Sequence, residues 1–139
     1  MAELFEILEH TADVGFRAWG ADAGSLFVNA ARAMMAIAAD DDPVAETAER
    51  AIEIDGEDYE SLLVNWLSEL LYLFDAGEFV AATIEVQSIS PARLTARLSG
   101  EPRDPARHRW KLIVKAVTYH GLEVKNTGAG WEARVFLDI

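Results

Sequence analysis

A broad apolar stripe along residues 59–75 constrains the fold more than any other feature of this chain. In "YESLLVNWLSELLYLFD" the apolar residues recur every three or four positions, which is the period of one face of an α-helix. Asp58 precedes the segment as an N-cap residue, and Gly77 follows it as a helix-ending residue. The stripe covers about five turns, so the rest of the chain must supply a wide apolar surface to bury it. It consists of Leu62, Leu63, Trp66, Leu67, Leu70, Leu71 and Phe74.

The other apolar patterns predict one further helix and several strands. Asp22 or Ser25 can cap a helix that runs to about Ile37, and Pro43 prevents its continuation. Alternating apolar and polar residues predict strands at 3–8, 14–19, 47–55, 79–87, 93–98 and 131–139. Helices and strands are mixed without a regular βαβ repeat. The predicted class is therefore α+β, with two main helices packed on a mainly antiparallel sheet.

Residues 110–121 fit either a strand or a short helix, and their β-branched residues favour mostly strand with a short turn at Tyr119 to Gly121. The "NTGAG" stretch at 126–130 is typical of a hairpin turn. The 139 residues are long enough to bury a real core, so we expect a single compact domain over residues 1–139.

Composition excludes several classes of protein. The chain has no cysteine, which excludes disulfides, thiolate nucleophiles and sulfur-ligated zinc. Its apolar runs are too short to cross a membrane and its first residues are acidic, so we expect an unexported, cytoplasmic protein without membrane attachment. The net charge of −12 argues against direct nucleic-acid binding, which requires a cationic surface.

Acidic residues are concentrated in one segment. Residues 40–60 hold ten Asp or Glu and one arginine, whereas residues 101–139 hold seven Lys or Arg and five Asp or Glu. The simpler interpretation of the acidic segment is a solvated face that keeps the protein soluble. The alternative is a surface that docks on a basic partner.

Carboxylates at the two ends of the chain suggest a cation site. Asp13 follows the first predicted strand, and Asp138 and the C-terminal carboxylate of Ile139 end the last one. If those strand ends meet, three carboxylates converge and require a hard cation such as Ca²⁺, Mg²⁺ or Mn²⁺, with Lys115 as a further positive charge. Alternatively, Asp13 forms a loop turn and Asp138 is solvated at a terminus.

Three motifs resemble the archease family. They are "HTADVGFRAWG" from His10, "KAVTYHGLEV" from Lys115 and "GWEARVFLDI" at the C-terminus, and the likeness runs from end to end. The resemblance implies a small α+β activator, not itself an enzyme, of the RtcB-type RNA ligase. That ligase depends on GTP and Mn²⁺ and passes through a histidine–GMP intermediate. The family speeds its guanylylation and allows repeated turnover in tRNA splicing or RNA repair.

The resemblance also implies site residues. The metal site of the family matches Asp13, Asp138 and Ile139, with Ca²⁺ as the first candidate ion and Mg²⁺ or Mn²⁺ as alternatives. Its functional lysine matches Lys115, and His10 and His120 are candidates for a supporting shell around the ion, although individually such histidines are more often structural.

Two other functions are compatible with the residues. A metal-dependent hydrolase could use Asp13, Asp138 and His120, provided the ion keeps an open coordination position. A general chaperone or binding module could use an apolar helix surface. Mutation of Asp13 would not change the binding activity of such a module.

Overall fold

The computed structural model describes residues 4–9 and 13–139, and within these ranges seven strands and two helices succeed one another. The order and bounds are β1 Phe5–Glu9, β2 Asp13–Gly20, α1 Ala23–Ala38, β3 Ala48–Asp55, α2 Tyr59–Asp75, β4 Val80–Ile89, β5 Arg93–Glu101, β6 Ala116–Asn126 and β7 Trp131–Asp138. Within the same ranges neither helix combines the length and the apolar composition that a bilayer span requires.

The strands form two sheets. One has the order β1-β2-β7-β6 and the other β3-β5-β4, and each pair is antiparallel. The predicted α+β class is confirmed, but the strands divide between two sheets where a single sheet was expected. The reason is the width of the apolar helix faces: α1 contacts β2 and β4, and α2 contacts β6 and β3, so each helix needs cover from both sheets.

Both helices begin at the predicted caps. The side chain of Asp22 accepts the backbone N–H of Ser25 at 2.8 Å, and that of Asp58 accepts the backbone N–H of Ser61 at 2.7 Å. These bonds satisfy N–H groups that the first turn of a helix leaves without partners. Gly77 follows α2 with φ of +72°, the left-handed conformation expected of a residue that ends a helix.

The predicted apolar stripe of α2 lies in the core. None of its seven residues is more than 6% exposed. Trp66 is fully buried, and its indole Nε1 donates to the backbone oxygen of Phe27 in α1 at 3.0 Å. The core against which it packs includes Phe16 from one sheet and Leu98 from the other.

Only the second half of residues 110–121 is strand, because the strand begins later than the sequence predicts. Trp110 makes one isolated bridge to Ala39, and β6 starts at Ala116. The chain does not turn at Tyr119. It continues as β6 with a change of register between Thr118 and Glu123. The apolar residues therefore predicted the strand, but not the bulge that replaces the expected turn.

Candidate functional site

Asp13 and Asp138 meet at one end of the four-stranded sheet. They are directly opposite each other in the β2–β7 register. Their neighbours Val14 and Leu137 are likewise paired, and Leu137 belongs to the core, so alternation places both carboxylates on the outer face. Directly opposed residues of an antiparallel pair have Cβ atoms about 4.5–5.5 Å apart. The two carboxylates are thus neighbours, Asp13 half-buried and Asp138 exposed.

Lys115 and Ile139 border the same strand end. The backbone N–H of Lys115 donates to the carbonyl of Asp138 at 2.8 Å, and Ala116 is the register partner of Asp138. The Lys115 side chain is exposed. The side chain of Ile139 is partly buried and packs on the core, which fixes the C-terminal residue beside Asp138. The sheet therefore brings together four of the residues predicted from sequence.

The donor set at this end suits a hard cation. Carboxylate oxygens are the ligands that Ca²⁺, Mg²⁺ and Mn²⁺ prefer. Across residues 4–9 and 13–139, no three side chains of Asp, Glu, His or Cys group closely enough to hold an ion. The resemblance adds the main-chain carboxylate of Ile139 as a third donor, and this part of the metal site stays a prediction. His10 lies outside the described residues.

A bulge in β6 lies next to this strand end. Thr118 pairs with Phe136 and Glu123 with Arg134, so four residues of β6 stand opposite the single residue Val135. Two hydrogen bonds hold the bulge: Arg134 Nε donates to the oxygen of Gly121 at 2.9 Å, and the His120 N–H donates to Thr118 Oγ1 at 2.8 Å. Bulges of this kind redirect side chains near functional sites.

The ring of Phe136 needs glycine on both sides. A Cβ at Gly15 would lie 2.6 Å from this ring, and one at Gly121 would lie 2.9 Å from it. Gly121 also has φ of +69°, which favours glycine. His120 is exposed, and its ring centre is 6.4 Å from that of Phe136. Glycines in two of the motifs therefore serve packing under the bulge.

Sequence reasoning missed a charged cluster between β5 and β6, in which Glu101 and His108 are buried and Arg107 is exposed. Glu101, 8% exposed, accepts from both terminal nitrogens of Arg107 at 3.1 Å and from the Ala45 N–H at 2.8 Å. His108 Nδ1 accepts the N–H of Asp104 at 2.8 Å, which assigns the proton to Nε2, 3.3 Å from Glu101. The available signal was a carboxylate at the end of a predicted strand, Glu101, followed six and seven residues later by Arg107 and His108.

This cluster predicts a pH dependence of stability. The hydrogen bonds from Arg107 and Ala45 lower the pKa of Glu101 from 4.5 to about 2. A carboxylate whose pKa is lower in the folded state stabilises the fold above its unfolded pKa, and that contribution disappears as the pH falls through the folded pKa. In thermal unfolding, we expect Glu101→Gln to melt below wild type at neutral pH, with the difference shrinking between pH 4.5 and 2.

The control for this prediction is Glu85→Gln, which changes an exposed carboxylate on β4. Its melting difference from wild type should vary less over the same range. A difference between wild type and Glu101→Gln that stays constant from neutral pH to pH 2 would contradict the assigned role.

The acidic segment is partly paired. Arg93 of β5 lies 2.7 Å from Glu53 and 3.8 Å from Asp55, and Arg109 lies 4.0 Å from Asp40. Exposed ion pairs of this type are screened by water and contribute little to stability. The acidic segment spans a loop, the edge strand β3 and the start of α2. The ion pairs to Arg93 and Arg109 neutralise part of its negative charge.

Comparison with known proteins gives matches that cover almost the whole chain. The model of the Archease protein family matches residues 5–139. Protein archease of Methanosarcina mazei is 42% identical over 139 residues, covering 97% of this chain and 95% of that protein. Protein archease of Pyrococcus abyssi is 36% identical over 139 residues, with 97% and 98% covered.

Solved structures share the fold. The solution structure of Methanobacterium thermoautotrophicum protein 1598 has a TM-score of 0.74 at 35% identity and covers 98% of this chain and 99% of that one. The crystal structure from Thermotoga maritima of an archease, described as a possible chaperone, has a TM-score of 0.63 at 19% identity, with 95% and 94% covered.

The resemblance first seen in three motifs is thus confirmed along the whole chain. Relatives well above 30% identity match almost their full length, and the α+β architecture agrees with the solved structures. The chain belongs to the Archease family.

Proposed function

We propose that this protein activates an RtcB-type RNA ligase as a protein cofactor, without catalysing a reaction alone. Membership of the Archease family supports the proposal. The observation that carries it is the register pairing of Asp13 with Asp138, next to the backbone bond between Lys115 and Asp138. Residues far apart in sequence are thereby placed at one exposed sheet end, where a second protein can reach them.

The chemistry of this end fits an activator of nucleotidyl transfer. Asp13, Asp138 and the carboxylate of Ile139 would hold a divalent cation, which when bound supplies positive charge for phosphate oxygens. Lys115, with its exposed ammonium, provides a second positive charge. Positive groups fixed in advance around a reacting phosphate stabilise the charge of the transition state. The expected effect is faster attack of the ligase histidine on GTP.

A direct test uses the ligase of the same host. Immobilised ligase should retain this protein, and guanylylation of the ligase should be faster in its presence, with more than one ligation event per ligase molecule. The proposal fails if the protein neither binds the ligase nor alters the guanylylation time course.

Cation binding gives a separate prediction. Asp138→Ala removes one of the two paired carboxylates. The affinity for Ca²⁺, Mg²⁺ or Mn²⁺ should therefore fall at least about tenfold, which corresponds to a loss of about 1.4 kcal/mol of binding free energy. Calorimetric titration of wild type and variant measures it. Asp75→Ala, which removes an exposed carboxylate at the end of α2, is the control and should bind like wild type. Equal affinity in all three proteins would contradict this site.

A general binding module is the second candidate, and one feature favours it. A cleft of about 510 Å³ lies between α1, α2 and β4, with a mainly apolar lining that includes Met35, Phe79 and Ile84. Clefts of this size and character commonly receive apolar groups. A chaperone using it should suppress aggregation of an unfolded client equally well after Asp138→Ala, whereas the ligase activator should lose activity.

A further inference from the structure

Two arginines lie side by side on the outer face of the four-stranded sheet. Arg17 of β2 is the register partner of Arg134 of β7, and the residues next to them, Ala18 and Ala133, are paired in the core. Because the side chains of a strand alternate between faces, both arginines extend from the opposite, outer face, where each is half-buried. Directly opposed residues have Cβ atoms about 4.5–5.5 Å apart, so the two side chains are neighbours.

The acidic neighbours of Arg134 are engaged by other groups. Glu123, its register partner on β6, lies 3.0 Å from the ammonium of Lys125. Glu132 accepts the indole N–H of Trp19 at 3.0 Å. In the described part of the chain no carboxylate forms an ion pair with either arginine, and their only side-chain hydrogen bond runs from Arg134 Nε to a backbone oxygen. The terminal nitrogens of both guanidinium groups therefore have no partner among the described residues.

Two positive charges in direct opposition are unfavourable without a counter-charge, since like charges at opposed positions destabilise an antiparallel pair. Glu6, the exposed register partner of Arg17 on the edge strand β1, forms no ion pair within the described ranges either. The pKa of Glu123 is lowered, first by the hydrogen bond from Lys125 and also by the charges of both arginines, so their field extends along this row of the sheet. Natural proteins depart from favourable pairing mainly at functional positions.

We propose that the pair formed by Arg17 and Arg134 binds a phosphate group, either as the free ion or as a monoester. A phosphate dianion balances two positive charges, and the planar fork of each guanidinium matches its oxygens with two parallel hydrogen bonds. The carboxylates of Asp13 and Asp138 lie four residues further along the same strands, about 14 Å away. Phosphate binding at the arginine pair needs neither that cation site nor the ligase, so it can be tested without them.

Calorimetric titration with inorganic phosphate in EDTA measures the site in the absence of metal. Wild type should bind saturably, and Arg17→Gln and Arg134→Gln should each bind at least about tenfold more weakly, the usual size of a lost charge-assisted hydrogen bond. Arg32→Gln is the matched control, because Arg32 is an exposed arginine of α1 without an ion pair in the described ranges, and it should bind like wild type.

Thermal unfolding gives a second readout and shows that each variant is folded. Phosphate should raise the melting temperature of wild type and Arg32→Gln above that in sodium chloride of equal ionic strength, because a ligand of the folded state stabilises it. The melting temperature of Arg17→Gln should not rise. Titration with adenosine 5′-monophosphate separates the sources: tighter binding than that of inorganic phosphate assigns the site to a monoester, and equal or weaker binding assigns it to the free ion.

Three results would each refute the site. The first is no saturable binding of either probe by wild type at millimolar concentration. The second is an unchanged affinity in both Arg17→Gln and Arg134→Gln. The third is a loss in Arg32→Gln as large as in these two, which would show attraction to net charge alone.

Discussion

Replacing Lys115 with methionine is expected to leave a folded protein that still binds the ligase but stimulates its guanylylation about 30- to 1000-fold less. The figure corresponds to about 2–4 kcal/mol, a range that includes the loss of about 2.7–4 kcal/mol seen when one preorganised hydrogen-bond donor is deleted from an active site. Methionine keeps most of the apolar stem of lysine and the backbone N–H that donates to Asp138. Only the ammonium is removed.

The stability of this variant should stay close to that of wild type. The Lys115 side chain is exposed, and exposed substitutions usually change the free energy of unfolding by no more than about 0.5 kcal/mol. Lys111→Met is the control. Lys111 is also exposed, and its backbone N–H also donates to a carbonyl at the end of an element, that of Ala38 at the end of α1. Lys111→Met should stimulate like wild type.

The measurement is the single-turnover rate of ligase guanylylation at saturating activator, with melting curves for each variant. Saturation separates a lost charge from a lost contact, because higher concentration compensates for weak binding but not for a missing ammonium. A folded Lys115→Met protein that stimulates fully would remove the lysine from the mechanism.

Local sequence signals predicted the helices well. The caps at Asp22 and Asp58, the end at Gly77 and the buried face of α2 all depend on interactions within a few residues, which periodicity and capping chemistry describe directly. The same holds for β7, where alternation predicted a strand over 131–139 and the structure has one over Trp131–Asp138.

The candidate site was predictable only in part, because it depends on long-range pairing. Asp13 and Asp138 meet only if β2 and β7 pair in the observed register, and no local pattern specifies which strands pair. The motifs indicated the residues, while the register shows that two of them are opposed. The second sheet and the bulge at 119–122 escaped prediction for the same reason, since each depends on contacts between distant segments. The Glu101 cluster is mostly local, because Arg107 and His108 lie six and seven residues from Glu101, but no helix or strand period marks it.

Trp66→Ala should cause a large loss of stability, about 3–5 kcal/mol. Trp66 is fully buried, and its indole N–H donates to the Phe27 oxygen, so the side chain links α2 to α1 at the centre of the core. Alanine leaves a cavity and removes that bond. Trp66→Phe keeps much of the volume and should cost less, with loss of the hydrogen bond contributing about 0.5–1.5 kcal/mol.

Urea unfolding at fixed temperature measures these changes, and an unchanged slope against urea would show that the variant exposes as much additional surface on unfolding as wild type does. Tyr72→Ala is the matched control, since Tyr72 is an aromatic residue of the same helix with 58% exposure, and its cost should be within about 0.5 kcal/mol. The effect of Trp66→Ala on ligase stimulation should follow the folded fraction alone, because Trp66 has no exposed surface with which to contact a partner. A loss below about 1 kcal/mol would mean that the two helices do not depend on this side chain for their packing.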